Sequence, residues 1–112
     1  MKLPNADEAI VAREKIEDYL LNPAHPDNGG KAEFFTGLGF RRSGWGVLAA
    51  ALKSLAKAGD VTDSSRTAHG VKYIVIGKIQ SPGGKSPLVQ SIWIVDKGQN
   101  VARLVTAYPH QA

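Results

Sequence analysis

The apolar period changes once along this chain, and that change dictates its fold class. Through residue 59 apolar side chains recur at helical intervals; from residue 71 they come as β-branched runs separated by turn-forming segments. Helices first and strands last define an α+β domain, with three N-terminal helices packed on a C-terminal antiparallel sheet of three to four strands. Ile16, Tyr19 and Leu20 form an i, i+3, i+4 stripe in a helix from about Ala12 to Leu21, ended by Asn22-Pro23. Phe34, Phe35 and Leu38 repeat the stripe in a second helix, Lys31 to Leu38, with Gly39 as its C-terminal cap. A third helix starts near Ser43, which is expected to cap it, buries Leu48, Ala51, Leu52 and Leu55, and stops at Gly59. The polar stretch Asp60 to Gly70 is expected to be a mobile loop.

The strands are Val71 to Ile79, Leu88 to Val95 and Val101 to Tyr108. The first two are apolar on both faces, so the helices are expected to cover more than one side of the sheet. The connectors SPGGKSP and DKGQN hold the residues that tight turns need, which makes an antiparallel meander the economical topology.

A length of 112 residues fits one domain over 1–112, with a helical part at 1–59, a loop at 60–70 and a sheet part at 71–109. Fourteen basic against ten acidic side chains leave +4, a mild attraction to polyanions. With no cysteine there is no disulfide framework and no thiolate chemistry, which favours a reducing compartment and a cytoplasmic site of action. The apolar run Val47 to Leu52 is far too short to span a bilayer, and the N-terminal residues lack the apolar stretch of a secretion signal, so no membrane role is expected. No HExxH, G-x-S-x-G or Walker A spacing occurs, and no metal or cofactor is expected.

What chemistry remains is carried by scattered polar residues. His25 sits in a loop between Pro23 and Pro26, and an imidazole can take a proton from a hydroxyl and return one near neutral pH. Gly29-Gly30 before Lys31 places backbone N–H groups and an ammonium at a helix start, where an anion is favoured. Arg41 and Arg42 add planar donors that match phosphate. On the last strand, Leu104, Thr106 and Tyr108 alternate with Arg103, Val105 and Ala107, so Thr106 and Tyr108 project together. Ser91 on the neighbouring strand offers another hydroxyl, and Arg103 another cation. Trp45 and Trp93 are candidate stacking platforms for bases, though Trp93, inside an apolar strand, fits core packing better.

The segments LPNADEAIVAREKIEDYLLNPAHPDNGGKAEFFTGLGF and SIWIVDKGQNVARLVTAYP, joined by a central helix, resemble a small bacterial domain family of unknown function over nearly the whole length. Its members look like stand-alone toxins or C-terminal domains of polymorphic toxins with a small neighbouring partner gene. The layout, ending in a strand that carries TAYP, is also similar to the barnase, EndoU, colicin D and RelE group of RNase toxins. That resemblance implies metal-independent attack of a ribose 2'-hydroxyl on the adjacent phosphate. It implies His25 as base or acid, Lys31 as stabiliser of phosphorane charge, and Thr106 and Tyr108 as phosphate ligands. Arg41, Arg42, Ser91 and Arg103 are then expected to bind substrate. The expected function is a ribonuclease toxin acting on RNA, tRNA included, and neutralised by a cognate antitoxin or immunity protein. The alternative is a non-catalytic domain that binds RNA or protein.

Overall fold

A computed structural model describes residues 1–110. Four strands follow one another as an antiparallel meander, β1 (Asp60–Thr67), β2 (Gly70–Lys78), β3 (Leu88–Asp96) and β4 (Ala102–Pro109), in that spatial order. The stretch expected as a loop over 60–70 is therefore mostly strand. Its side chains, DVTDSSRT, lack apolar alternation, so periodicity has nothing to detect. Pairing comes instead from β2, whose backbone groups need partners, across the short Ala68-His69 connection that Thr67 Oγ1 braces by accepting from His69 N–H at 3.1 Å.

The helical half is α1 (Arg13–Lys15), continued by a π-helical turn (Ile16–Leu20), then α2 (Lys31–Gly37) and α3 (Trp45–Ala58). In the π turn Leu21 N–H donates to Ile16 C=O at 2.9 Å, one residue further than in an α-helix. α2 ends where Gly39 takes φ +99°, a conformation costly for any residue with a Cβ. Ser43 does not cap α3; it lies inside a 3-10 turn, Arg42–Gly44, and α3 has no side-chain cap.

Side chains directly opposite in the ladders share a face. Val75, Ser91 and Ala107 point one way, as do Trp93 and Leu104, and all five are buried under the helices. α3 packs on β2 so closely that a Cβ at Gly59 would stand 2.9 Å from Val75 Cγ1. Trp93 sits at the centre of this core and donates from Nε1 to Ser91 Oγ at 2.8 Å, while Ser91 Oγ donates to Val75 C=O at 2.9 Å. Ser91 is 0% exposed, so it satisfies the core tryptophan and cannot meet a substrate.

The opposite face is open. Ile74, Ile76, Ile92 and Ile94 remain half-exposed there and Leu88 is 41% exposed. Cover on both faces, the expectation from the apolar strands, is not realised because α1 and α2 pack along β4. Ile10 extends that edge: its N–H donates to Ala102 C=O at 2.8 Å and its C=O accepts from Leu104 N–H at 2.9 Å.

A bulge in β4 decides which side chains face the helices. Trp93 pairs with Leu104 but Ile92 pairs with Thr106, leaving Val105 as an extra residue. Leu104 and Ala107 thus both enter the core, and Thr106 and Tyr108 turn to the open face, the face of Arg103 rather than of Leu104. Strict alternation would have grouped them with Leu104.

Two stability tests follow from this packing. Ser91→Ala leaves the buried indole N–H without its acceptor and should cost about 1–3 kcal/mol, read as a lower urea midpoint at unchanged slope; an unchanged midpoint would refute the assignment. On the open face Arg103 donates to Asp96 from Nε at 2.7 Å and from an Nη at 3.1 Å. These hydrogen bonds hold the Asp96 carboxyl below its ordinary range, and the pair pushes the guanidinium up. A lowered carboxylate contributes stability above the unfolded value of about 3.9 and loses it as pH falls through the folded value. The urea-midpoint gap between wild type and Asp96→Asn should therefore shrink on acidification from about pH 6 to about pH 2.

Candidate functional site

Asn28, 3% exposed, organises the loop that carries His25 and Lys31. Its Nδ2 donates to Tyr19 C=O at 2.7 Å and Leu20 C=O at 3.3 Å, and its Oδ1 accepts from Ala32 N–H at 3.0 Å. One amide thus joins the end of the π turn to the start of α2. The Asp27-Asn28-Gly29-Gly30 run, permissive in sequence, is tied down. The same bonds change the anion site expected at the start of α2. Ala32 N–H is taken by Asn28 Oδ1 and Lys31 N–H by Asn28 C=O at 3.1 Å, so these two donors of the helix start are not open to an anion.

Tyr19 is the hub. The π turn carries its phenol to β4, where Tyr19 Oη and Thr106 Oγ1 lie 2.8 Å apart. The His25 ring packs edge-on against it at 5.0 Å between centroids. Lys15 Nζ lies 5.4 Å and Lys31 Nζ 5.6 Å from the centre of the same ring, and Lys31 Nζ lies 6.0 Å from that of Tyr108. Lys31 Nζ also donates to Asp27 C=O and Asn28 C=O, both at 3.2 Å, which fixes its position. Tyr108 Oη accepts from Gln90 Nε2 at 2.8 Å, and Gln90 Oε1 lies 3.4 Å from His110 Nδ1. Four of the singled-out residues, His25, Lys31, Thr106 and Tyr108, accordingly meet around Tyr19.

Beside His25 opens a cleft of about 530 Å³, with Tyr19, Val105 and Thr106 in its wall and Glu14, Lys15, Asp18 and Asp27 among its charged lining. Asp27 N–H donates to His25 Nδ1 at 3.0 Å. With Nδ1 accepting, the neutral imidazole carries its proton on Nε2. Converting Nε2 into an acceptor means moving that proton to Nδ1 and giving up one exposed bond, a cost of about 0.5–1.5 kcal/mol that leaves both tautomers accessible.

The cationic residues are placed less favourably. Arg42 borders the cleft only through Asp18, at 3.6 Å. Arg41 is exposed and lies outside the cleft lining. Arg103 has its guanidinium committed to Asp96. Trp45 is half-buried under the Arg13 guanidinium, 5.5 Å from its ring centre. Tyr19, Asn28, Gln90 and His110 were not singled out. For Tyr19 a signal existed: a phenol on an apolar stripe has a hydroxyl that needs a partner. Among the described residues no three His, Asp or Glu side chains cluster as metal ligands, and no helix is long and apolar enough to cross a membrane.

Three helices feeding a four-stranded antiparallel meander, with polar groups gathered at the β4 edge, define an α+β domain with a cleft between its helical and strand parts. The chain belongs to the family described as Domain of unknown function (DUF6883), whose model matches residues 2–111. No curated protein matches it. Among solved structures it is similar to a chain of a contact-dependent growth inhibition toxin–immunity protein complex from Klebsiella pneumoniae 342. The TM-score is 0.74 at 17% identity, over 96% of this chain and 97% of that one. At that identity the likeness is one of fold.

Asn28→Ala removes all three clamp bonds, leaving Leu20 C=O and Ala32 N–H without these partners while Tyr19 C=O keeps the Asn22 N–H at 3.2 Å. It should lower stability by about 1–3 kcal/mol and accelerate amide exchange over residues 23–31 while α3 stays protected. Uniform acceleration across the chain would show that Asn28 supports the whole fold and not this loop.

Proposed function

We propose that the domain is a toxin that cleaves RNA without a metal, tRNA being a natural target, and that a cognate immunity protein or antitoxin neutralises it. What supports this most is the convergence of one imidazole, one fixed ammonium and three hydroxyls, those of Tyr19, Thr106 and Tyr108, drawn from opposite ends of the chain. The fold shared with a chain of a toxin–immunity complex supports the toxin half, and the TAYP strand supports kinship with the barnase, EndoU, colicin D and RelE group.

In this mechanism His25 Nε2 takes the ribose 2'-hydroxyl proton, the 2'-oxygen bonds to phosphorus, and the bond from phosphorus to the 5'-oxygen breaks. The imidazolium returns the proton to that leaving oxygen. Lys31 lies where charge grows on the phosphorane, and the Thr106 and Tyr108 hydroxyls orient the non-bridging oxygens. The products are a 2',3'-cyclic phosphate and a 5'-hydroxyl.

The open isoleucine face favours a second reading, a non-catalytic domain that binds a protein or RNA. Incubating the protein with total RNA in EDTA separates the two. Cleavage with cyclic phosphate ends is expected, and His25→Ala and Lys31→Ala should each lower the rate by about two to four decades with unfolding midpoints retained. Both variants should also cease to inhibit growth. Salt-sensitive binding with no cleavage, indifferent to His25, would favour the second reading.

A further inference from the structure

Gln90 decides what Tyr108 can offer a substrate. The two residues stand directly opposite each other in the β3–β4 ladder, on the open face, and Gln90 Nε2 donates to Tyr108 Oη at 2.8 Å. A phenol has one hydrogen to donate. Because its oxygen accepts from Gln90, Tyr108 keeps that hydrogen, and among the described residues no acceptor takes it. The amide is held from its other end as well. Its Oε1 lies 3.4 Å from His110 Nδ1, and His110 N–H donates to Leu88 C=O at 3.0 Å, which keeps the imidazole on the ladder. A hydrogen on His110 Nδ1 demands the amide oxygen at that end, and Nε2 then falls to Tyr108. The reversed amide would present Oε1 to the phenol and take its hydrogen. At Tyr19 and Thr106, by contrast, either hydroxyl can donate across their 2.8 Å, so that bond leaves the direction open.

We infer that Gln90 is a positioning residue that holds Tyr108 as a hydrogen-bond donor toward the phosphate, an assignment that rests on the RNA-cleaving reading above. A phosphodiester at neutral pH brings only acceptors. A phenol that had given its hydrogen to Gln90 would turn a lone pair toward that anion. One that accepts from Gln90 offers a donor instead, and the bond it receives polarises the one it gives. Lys31 Nζ lies 6.0 Å from the centre of the Tyr108 ring, so a phosphate that takes the phenol hydrogen is also close to an ammonium. Gln90 itself touches no reacting atom and acts through Tyr108 alone.

The test uses the full chain. Gln90→Met keeps the length of the side chain and removes both polar ends, whereas Gln90→Glu keeps the shape and offers Tyr108 acceptors only. The probe is a tetranucleotide with every 2'-hydroxyl methylated, so that nothing can attack. Gln90→Met and Tyr108→Phe should each weaken its binding by roughly ten- to a hundredfold, the size of one hydrogen bond to a charged group, with unfolding midpoints retained. Gln90→Glu should weaken it at least as much. In the Tyr108→Phe background Gln90→Met should add nothing, because the two act as one unit. Wild-type affinity in either Gln90 variant, or a full further loss in the double variant, would overturn the assignment. So would NMR contacts that place the Gln90 amide protons at His110 and not at the Tyr108 ring. Cleavage is a separate arm. Sulfur is a weak acceptor, so in one of the two diastereomers a non-bridging sulfur should slow the wild type roughly tenfold. That penalty should vanish in Tyr108→Phe and Gln90→Met alike, which loss of packing would not cause. A protein that follows the binding pattern yet cuts no RNA loses the ribonuclease reading and keeps the role of Gln90 toward a phosphate. One that cuts RNA with a sulfur penalty unmoved by Gln90→Met keeps the ribonuclease and loses this inference.

Discussion

The site depends on one extra residue in β4. A strand offers alternate side chains to alternate faces, so a single inserted residue reverses the parity of everything after it. With Val105 unpaired, Leu104 and Ala107 both fill the core beside Trp93 and Ser91, and Thr106 and Tyr108 emerge on the other face, at the edge where α1 and α2 pack. In unbroken register Thr106 would lie under the helices as a buried hydroxyl in want of an acceptor, and Tyr19 would have no oxygen to meet.

The helical half meets that strand through local geometry of its own. The π turn rotates Tyr19 toward β4 while keeping Ile16 and Leu20 buried, and Asn28 ties the following loop to the turn that has just ended. The result is a Lys31 ammonium 5.6 Å from the centre of the Tyr19 ring and 6.0 Å from that of Tyr108, next to a cleft lined by Glu14, Asp18, Asp27 and Lys15. The mild net charge of the chain is consistent with a site that acts by placement of a few groups, not by bulk attraction.

Much of the architecture was legible because it is periodic. The phenylalanine stripe of α2 and the β-branched runs of β2 and β3 announce their elements through neighbours three, four or two residues away, and DKGQN announces a turn. β1 was illegible for the opposite reason: it is an exposed edge strand whose conformation is imposed by its partner. In the site, His25, Lys31, Thr106 and Tyr108 were picked out by chemistry, whereas Ser91, chemically much like Thr106, proved to be the acceptor for Trp93. Nothing local tells the two hydroxyls apart; only depth does. Tyr19 passed as one more member of an apolar stripe because its partner stands 87 residues away.

By itself the sequence determined the kinds of elements, their order, and the stock of proton carriers, cations and hydroxyls, since these follow from side-chain identity and short-range spacing. Tertiary structure alone decided the bulge, the uncovered isoleucine face, the sign of the cleft and the company that each polar group keeps. The physical reason is one of range. Periodicity acts within a turn or a pleat, but burial and hydrogen bonding between distant segments are settled only when register and packing bring those segments together.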